Sequence, residues 1–134
     1  MKLGVLIILQ DEKTDINERI KSVKDMGFDS CQITCWNNSC YTDEMAEKIN
    51  SACKEYGVNV STFWAGWSGP GAWNFYEGQL TLGLVPAEYR DVRRRELIEA
   101  SHFVKKLGVE NIATHMGFIP ENPNTGSINL LYVQ

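Results

Sequence analysis

Three glycines constrain the fold of this chain most. Gly27, Gly57 and Gly108 each follow the last apolar position of a helical pattern and precede a short apolar run. Glycine is the usual residue at the left-handed position that ends a helix, so each of these sites predicts a helix that passes directly into a strand. Such a repeat predicts an α/β fold in which parallel strands are joined by crossover helices.

The repeat divides the chain into four predicted strands and three predicted helices. The strands cover residues 2–9, 30–35, 58–64 and 109–114. Asp15 and Thr42 are the predicted N-caps of the first two helices, and Pro86 opens the third. The first helix has a predicted buried stripe of Ile16, Ile20, Val23 and Met26. The first strand is apolar almost throughout, which is typical of a parallel strand covered on both faces.

Residues 65–85, here called the aromatic loop, lengthen the third repeat. They contain five glycines, two tryptophans, Phe75 and Tyr76. The glycines argue against regular secondary structure, and the aromatic side chains argue against a flexible linker. A long loop at the C-terminal side of a parallel sheet is typical of an active-site wall or lid. A loop that only packs its aromatic side chains against the body is the alternative.

Composition narrows the function classes. The chain has 134 residues, enough for one domain, and a net charge of −4, which favours neither nucleic acid nor an anionic membrane as a partner. No apolar run is long enough to span a bilayer, and the sequence predicts a cytoplasmic protein. The four cysteines match no zinc-binding spacing and are predicted to be buried thiols. The basic cluster Arg90, Arg93, Arg94 and Arg95 alternates with acids, which predicts a solvent-exposed helix face.

The candidate site residues follow the predicted strands or lie in loops on the same side, where α/β proteins bind ligands. His115 follows the fourth strand and is the candidate catalytic residue, unless it only hydrogen-bonds a loop carbonyl. The candidate substrate-binding residues are Trp36, Trp64, Trp67, Trp73, Glu77 and Glu121. Indole rings suit the apolar faces of sugars, although half of the tryptophans are expected to serve only in packing. The two glutamates are possible acids or bases.

Three segments carry a family resemblance. TFWAGWSGPGAWNFYEG, LTLGLVPAEYR and LGVENIATHMGFIPENPN resemble the sugar phosphate isomerase/epimerase group, which are xylose isomerase-like TIM barrels related in fold to metal-dependent apurinic-site endonucleases. The resemblance covers residues 1–124 and implies the N-terminal half, about four strands, of a TIM (β/α)8 barrel. Residues 1–134 would form a single partial domain that is truncated after strand four.

The resemblance implies the N-terminal part of a sugar or sugar phosphate isomerase or epimerase. The full-length protein would act on a small sugar or polyol by metal-assisted proton transfer, with Mn, Mg, Co or Zn held by residues on later strands. In this chain His115 is the single candidate metal ligand, so the chain alone is expected to be inactive. The alternatives are a metal-dependent phosphodiesterase of the apurinic-site endonuclease type and an inactive half-barrel fragment.

A half-barrel predicts an association-prone molecule. It leaves two open sheet edges and an uncovered inner face, on which Ile33 and Phe63 are expected to meet water. Two copies could close into one eight-stranded ring around a two-fold axis. We therefore expect a homo-oligomer such as a dimer, or aggregation.

Overall fold

The computed structural model describes residues 3–118, which form one parallel sheet and the helices that cover it. The elements in chain order are β1 (Val5–Leu9), α1 (Ile16–Asp25), β2 (Ser30–Cys35), a 3₁₀ turn (Asn38–Cys40), α2 (Asp43–Tyr56), β3 (Asn59–Ala65), α3 (Gly78–Thr81), α4 (Ala87–Lys106) and β4 (Ile112–Ala113). Within this part of the chain, no helix combines the length and the apolar composition needed to cross a bilayer.

The predicted helix ends are confirmed. The Asp15 carboxylate accepts a hydrogen bond from the Glu18 backbone N–H at 3.0 Å, and the Thr42 hydroxyl accepts one from Met45 at 3.1 Å. Each bond satisfies a backbone donor that the first helical turn leaves without a partner. Gly57 ends α2 in the left-handed conformation, with φ of 66°.

The order of the strands decides between two α/β architectures. All pairs in the sheet are parallel, and the strands lie in the order β1-β2-β3-β4, the same as in the sequence. A doubly wound sheet reverses its strand order at a switch point, whereas a βα barrel adds each strand beside the previous one. The observed order is therefore that of half of an eight-stranded barrel.

The core lies between the sheet and the helices. Its strand residues include Ile7 and Leu9 of β1, together with Ile33 and Phe63, which are both 0% exposed. The alternate β1 side chains Leu6 and Ile8 are 56% and 51% exposed, so β1 is covered on one face only. We call the side of the sheet that carries Leu6 and Ile8 the open face.

Two predictions about burial are therefore wrong. Strand one is not covered on both faces, and Ile33 and Phe63 point to the helices instead of the water-exposed inner side. The predicted buried stripe of α1 is correct except at Met26, which is 56% exposed because it is the C-cap, one position past the helix.

Other elements differ from the predictions in length. The fourth strand was predicted at 109–114, but only Ile112 and Ala113 pair with β3, and the aromatic loop contains the single-turn helix α3. All four cysteines are free thiols; Cys53 is half-buried and the other three are buried.

Candidate functional site

The four tryptophans of the chain form one cluster at the C-terminal ends of β2 and β3. The Trp36 ring lies 4.7 Å from Trp64, 4.9 Å from Trp67 and 6.2 Å from Trp73, measured between ring centroids. The Trp67 and Trp73 centroids are 6.3 Å apart. These separations are within the range of favourable aromatic contacts, so the four rings form one continuous surface, here called the tryptophan cluster.

Exposure differs across this cluster. Trp67 is 5% exposed and lies at its base, whereas Trp36 and Trp73 are 42% and 61% exposed. A ligand can therefore reach the rings of Trp36 and Trp73, while Trp67 supports them from below. Trp64 is half-buried.

A close approach between β3 and the end of β2 places the Trp36 ring. The Gly66 backbone N–H donates to the Cys35 carbonyl at 2.8 Å, which brings the start of the aromatic loop against β2. A Cβ atom on Gly66 would lie 2.5 Å from two atoms of the Trp36 indole. Only glycine at this position leaves room for the Trp36 ring.

His115 joins the edge of the tryptophan cluster. Its ring centroid is 5.0 Å from that of Trp73, in an edge-to-face arrangement, and 6.2 Å from that of Trp67. The Gly117 backbone N–H donates to His115 Nδ1 at 3.0 Å. Because a backbone N–H can only donate, Nδ1 acts as an acceptor, and the proton of the neutral imidazole is on Nε2. His115 therefore offers a hydrogen-bond donor, Nε2–H, to a ligand.

The aromatic loop is fixed to α4 by one stripe of helix side chains. Arg93 is 1% exposed and donates to the backbone carbonyls of loop residues Ser68, Pro70, Thr81 and Gly83 at 2.6–3.1 Å. One turn away on either side, Glu96 accepts from the Ser68 N–H at 3.0 Å and Arg90 donates to the Leu84 carbonyl at 3.0 Å.

This arrangement corrects the predicted solvent-exposed face of α4. Arg94, which is 65% exposed and pairs with Asp91, has the predicted environment, but Arg93 is in the interior. Burial lowers the pKa of the Arg93 guanidinium, and the charges of Glu96 and Tyr89 oppose that shift. The acceptors of Arg93 are backbone carbonyls, which carry no residue-specific signal, so sequence patterns could not identify its role.

The candidate glutamate Glu77 has no described contact with the tryptophan cluster. Glu77 is exposed beside α3, and its carboxylate accepts from the Asn74 side-chain amide at 2.9 Å, a bond within the loop itself. Glu121 lies outside the described residues. The aromatic loop thus contributes rings to the site, and no described contact joins Glu77 to them.

Two buried polar atoms near the cluster have no hydrogen-bond partner within residues 3–118. They are the indole N–H of Trp67 and the hydroxyl of Thr34, whose strand position pairs with Trp64. Most buried polar groups in proteins are satisfied, so these two atoms are exceptions within the described residues. Sequence reasoning did not identify Thr34, because a threonine in a strand is ordinary.

Cys35 also lies near the end of β2, but it is unsuited to nucleophilic chemistry. Burial raises the pKa of its thiol to about 12. The thiol donates a hydrogen bond to the Asn37 carbonyl at 3.3 Å, a contact that requires the protonated form. The thiolate is the nucleophilic form of cysteine, so at neutral pH this side chain stays a thiol. It acts here as a core residue.

The described residues do not fit the divalent metal that the resemblance implies. No three His, Cys, Asp or Glu side chains between residues 3 and 118 are grouped as metal ligands. His115 uses the Nδ1 lone pair to accept the Gly117 N–H, and its Nε2 carries the proton. In this tautomer neither nitrogen has a free lone pair for a metal ion.

Comparison with known proteins identifies the architecture. No protein-family model matches the chain, and no curated protein matches it. Among solved structures, a xylose isomerase domain protein from Planctomyces limnophilus matches 94% of this chain with a TM-score of 0.76 and 23% identity. The apo form of 3-keto-D-glucoside 4-epimerase, YcjR, from E. coli matches 83% of it with a TM-score of 0.52 and 22% identity.

The match covers only part of each solved structure. The chain corresponds to 44% of the first protein and 37% of the second, so it spans less than half the length of either. The sequential parallel strands, the helices on one face and these two likenesses agree on the fold. The chain has the fold of half of a TIM barrel, similar to the matching part of the xylose isomerase domain protein.

Proposed function

We propose that this chain is part of a sugar isomerase or epimerase and that its tryptophan cluster, with His115, binds a small sugar or sugar phosphate. The observation that carries the proposal is the convergence of four indole rings and one imidazole at the C-terminal ends of the parallel strands. In βα barrels this end of the sheet holds the active site. The fold likeness to an epimerase supports the same reading.

The site chemistry suits a sugar. The exposed rings of Trp36 and Trp73 offer apolar surfaces for the C–H face of a sugar ring. His115 Nε2–H can donate a hydrogen bond to a hydroxyl or carbonyl oxygen next to that surface. In this tautomer His115 can also donate its Nε2 proton to a substrate oxygen as a general acid, while the base that takes a proton from the adjacent carbon would be another group.

A fluorescence titration tests the proposal. Each of a panel of ketoses, aldoses and sugar phosphates is added to the chain while the tryptophan emission is followed. We expect a saturable change with at least one sugar. Trp73→Ala should weaken that binding about fivefold or more, because stacking on one aromatic ring is worth about 1 kcal/mol or more. His115→Ala should weaken it without lowering the melting temperature.

Phe75→Ala is the matched control. Phe75 is an aromatic residue of the same loop, 81% exposed, and its described ring contact is with Phe118 at 6.1 Å, away from the tryptophan cluster. Its substitution should leave sugar affinity unchanged. Equal losses for Phe75→Ala and Trp73→Ala, or no response to any sugar, would contradict the proposed site. Unchanged binding with a lowered melting temperature in His115→Ala would show that His115 only stabilises the loop.

The remaining predictions about this function are also proposals. A divalent metal in the whole enzyme would require ligands outside the described residues, since this part of the chain supplies no set of them. We propose a cytoplasmic location, with neither nucleic acid nor membrane as a partner.

A further inference from the structure

We propose that Arg93 is a positioning residue that holds the tryptophan cluster and His115 in one fixed arrangement. Its guanidinium donates to carbonyls at both ends of the aromatic loop, at Ser68 and Pro70 near the start and at Thr81 and Gly83 near the end. One side chain therefore joins two loop segments that lie 13 residues apart in sequence, from Pro70 to Gly83. This inference deepens the proposed function and rests on it for its binding measurement alone.

The connection from Arg93 to the tryptophan cluster is direct. The Arg93 Cζ atom lies 5.2 Å from the centroid of the Trp67 ring, and Tyr89 lies on the guanidinium at 4.6 Å. A buried guanidinium over an indole face is an attractive cation–π contact. Trp67 in turn contacts Trp36 and Trp73, so the position of Arg93 fixes the base on which the exposed rings rest.

The connection to His115 passes through two glycines. The Gly83 carbonyl accepts a hydrogen bond from Arg93 at 2.8 Å. Gly83 also lies close to the residues that follow His115, because a Cβ atom on Gly83 would be 2.2 Å from the Met116 carbonyl carbon. A Cβ atom on Gly117 would be 2.5 Å from the Leu82 carbonyl oxygen. The Leu84 and Val85 N–H groups both donate to the Met116 carbonyl, at 2.8 and 3.0 Å. The end of the loop and the turn after β4 are thus packed backbone to backbone.

Gly117 also donates to His115 Nδ1, which sets the imidazole tautomer. A shift of the Gly83 backbone would therefore move Gly117 and release the His115 ring. Arginine is suited to this role because its planar guanidinium carries five donors in a fixed geometry, whereas the three donors of lysine share one nitrogen. Arg93→Lys should keep the charge but cannot reach all four carbonyls at once.

The first test measures the arrangement of the tryptophan and His115 rings without a sugar, and sugar binding is measured separately. Closely packed indoles give an exciton couplet in the circular dichroism spectrum, and the ring-nitrogen NMR shifts of His115 report its tautomer. In Arg93→Ala and Arg93→Lys we expect the couplet to fall and the His115 shifts to move toward a tautomer mixture, while the helical signal in the far ultraviolet is retained. Arg94→Gln, an exposed arginine on the same helix, is the control and should change neither reading.

Two further experiments separate positioning from general stability. Guanidinium ion, added to Arg93→Ala far below denaturing concentrations, should restore the couplet by occupying the vacated site. Gly83→Ala keeps the Arg93 side chain and should disturb the His115 shifts more than the couplet, because the added Cβ would meet the Met116 backbone directly, whereas the Gly83 carbonyl is one of four Arg93 acceptors.

The binding measurement uses the sugar identified by fluorescence, with an expected loss of at least tenfold in Arg93→Lys. If Arg93→Ala and Arg93→Lys both keep the couplet and the His115 shifts, the proposal is overturned. Loss of the helical signal in both variants would also overturn it, since Arg93 would then be a general stability residue. If the unmodified chain binds no sugar, the proposed function fails, but the spectroscopic results still decide the role of Arg93.

Discussion

Ile7 and Ile8 provide a direct test of which side of the sheet is open. They are the same residue type at adjacent positions of β1, yet Ile7 is 6% exposed and packs with the helices, whereas Ile8 is 51% exposed. Each is changed to alanine in turn. Because both substitutions remove the same atoms from the same strand, differences in strand propensity cancel between them.

The two variants should differ in stability by about 2 kcal/mol. Ile7→Ala removes a buried side chain and leaves a cavity, which typically costs about 2–5 kcal/mol. Ile8→Ala leaves no enclosed cavity, and half of its side chain is already in water. Complete burial of an isoleucine is worth about 1.5–3 kcal/mol, so half of that burial predicts a cost of about 1 kcal/mol.

Urea unfolding followed by circular dichroism measures both values, at several protein concentrations. Equal costs at the lowest concentration would refute the reasoning, because Ile8 would then be buried within a single chain. A cost for Ile8→Ala that increases with protein concentration would show that a second copy covers the open face, since stability then depends on association.

Three other predictions follow from the structure. Light scattering after size-exclusion chromatography should show a dimer or larger species, because the open face and the edge strands favour association; a single-chain mass at micromolar concentrations would contradict this. The chain alone should not turn over ketoses or aldoses with added manganese, since residues 3–118 provide no group of metal ligands, and robust turnover would refute it. Burial raises the pKa of Cys31 and Cys35 to about 12 from an unfolded value of 9.0. The contribution of these two thiols to the free energy of unfolding should therefore be constant below pH 9. It should fall from pH 9 toward 12, because in that range only the unfolded chain loses these protons. Urea midpoints at about pH 8 and about pH 10 check this, and equal midpoints would contradict it.

Much of the fold was predictable because its signals are local. A helix cap such as Asp15 or Thr42 depends on residues within one turn, and a C-terminal glycine such as Gly57 depends on its own φ angle. The side of the sheet that each strand residue faces was not predictable in the same way. Leu6 and Ile7 are adjacent and both are apolar. β1 therefore lacks the alternation of polar and apolar residues that would show which face of the sheet is exposed.

The proximity of the tryptophans was predictable from the sequence, whereas the role of Arg93 beneath them was not. Trp36 and Trp64 follow or end their strands, and parallel strands bring their C-terminal ends to one side, so their proximity follows from the strand pattern. Arg93 depends on the path of a 21-residue loop, residues 65–85, whose backbone carbonyls surround it. No residue pattern encodes such a path, and the arginine cluster by itself resembles an ordinary charged helix face.

The sequential order of the strands has a consequence for the order of assembly. β1 and β2 pair residues 26 apart, as in Val5 with Cys31. β2 and β3 pair residues 29 or 30 apart, as in Cys31 with Val60 and Ile33 with Phe63. The pairing of β3 with β4 joins Phe63 to Ile112, which are 49 residues apart. Closing the chain between β3 and β4 costs about 0.5 kcal/mol more in chain entropy than closing it between β2 and β3. The pairing that it forms involves a strand of only two residues. We expect a chain leaving the ribosome to complete its first three strands early and to bring His115 to the tryptophans as the last step.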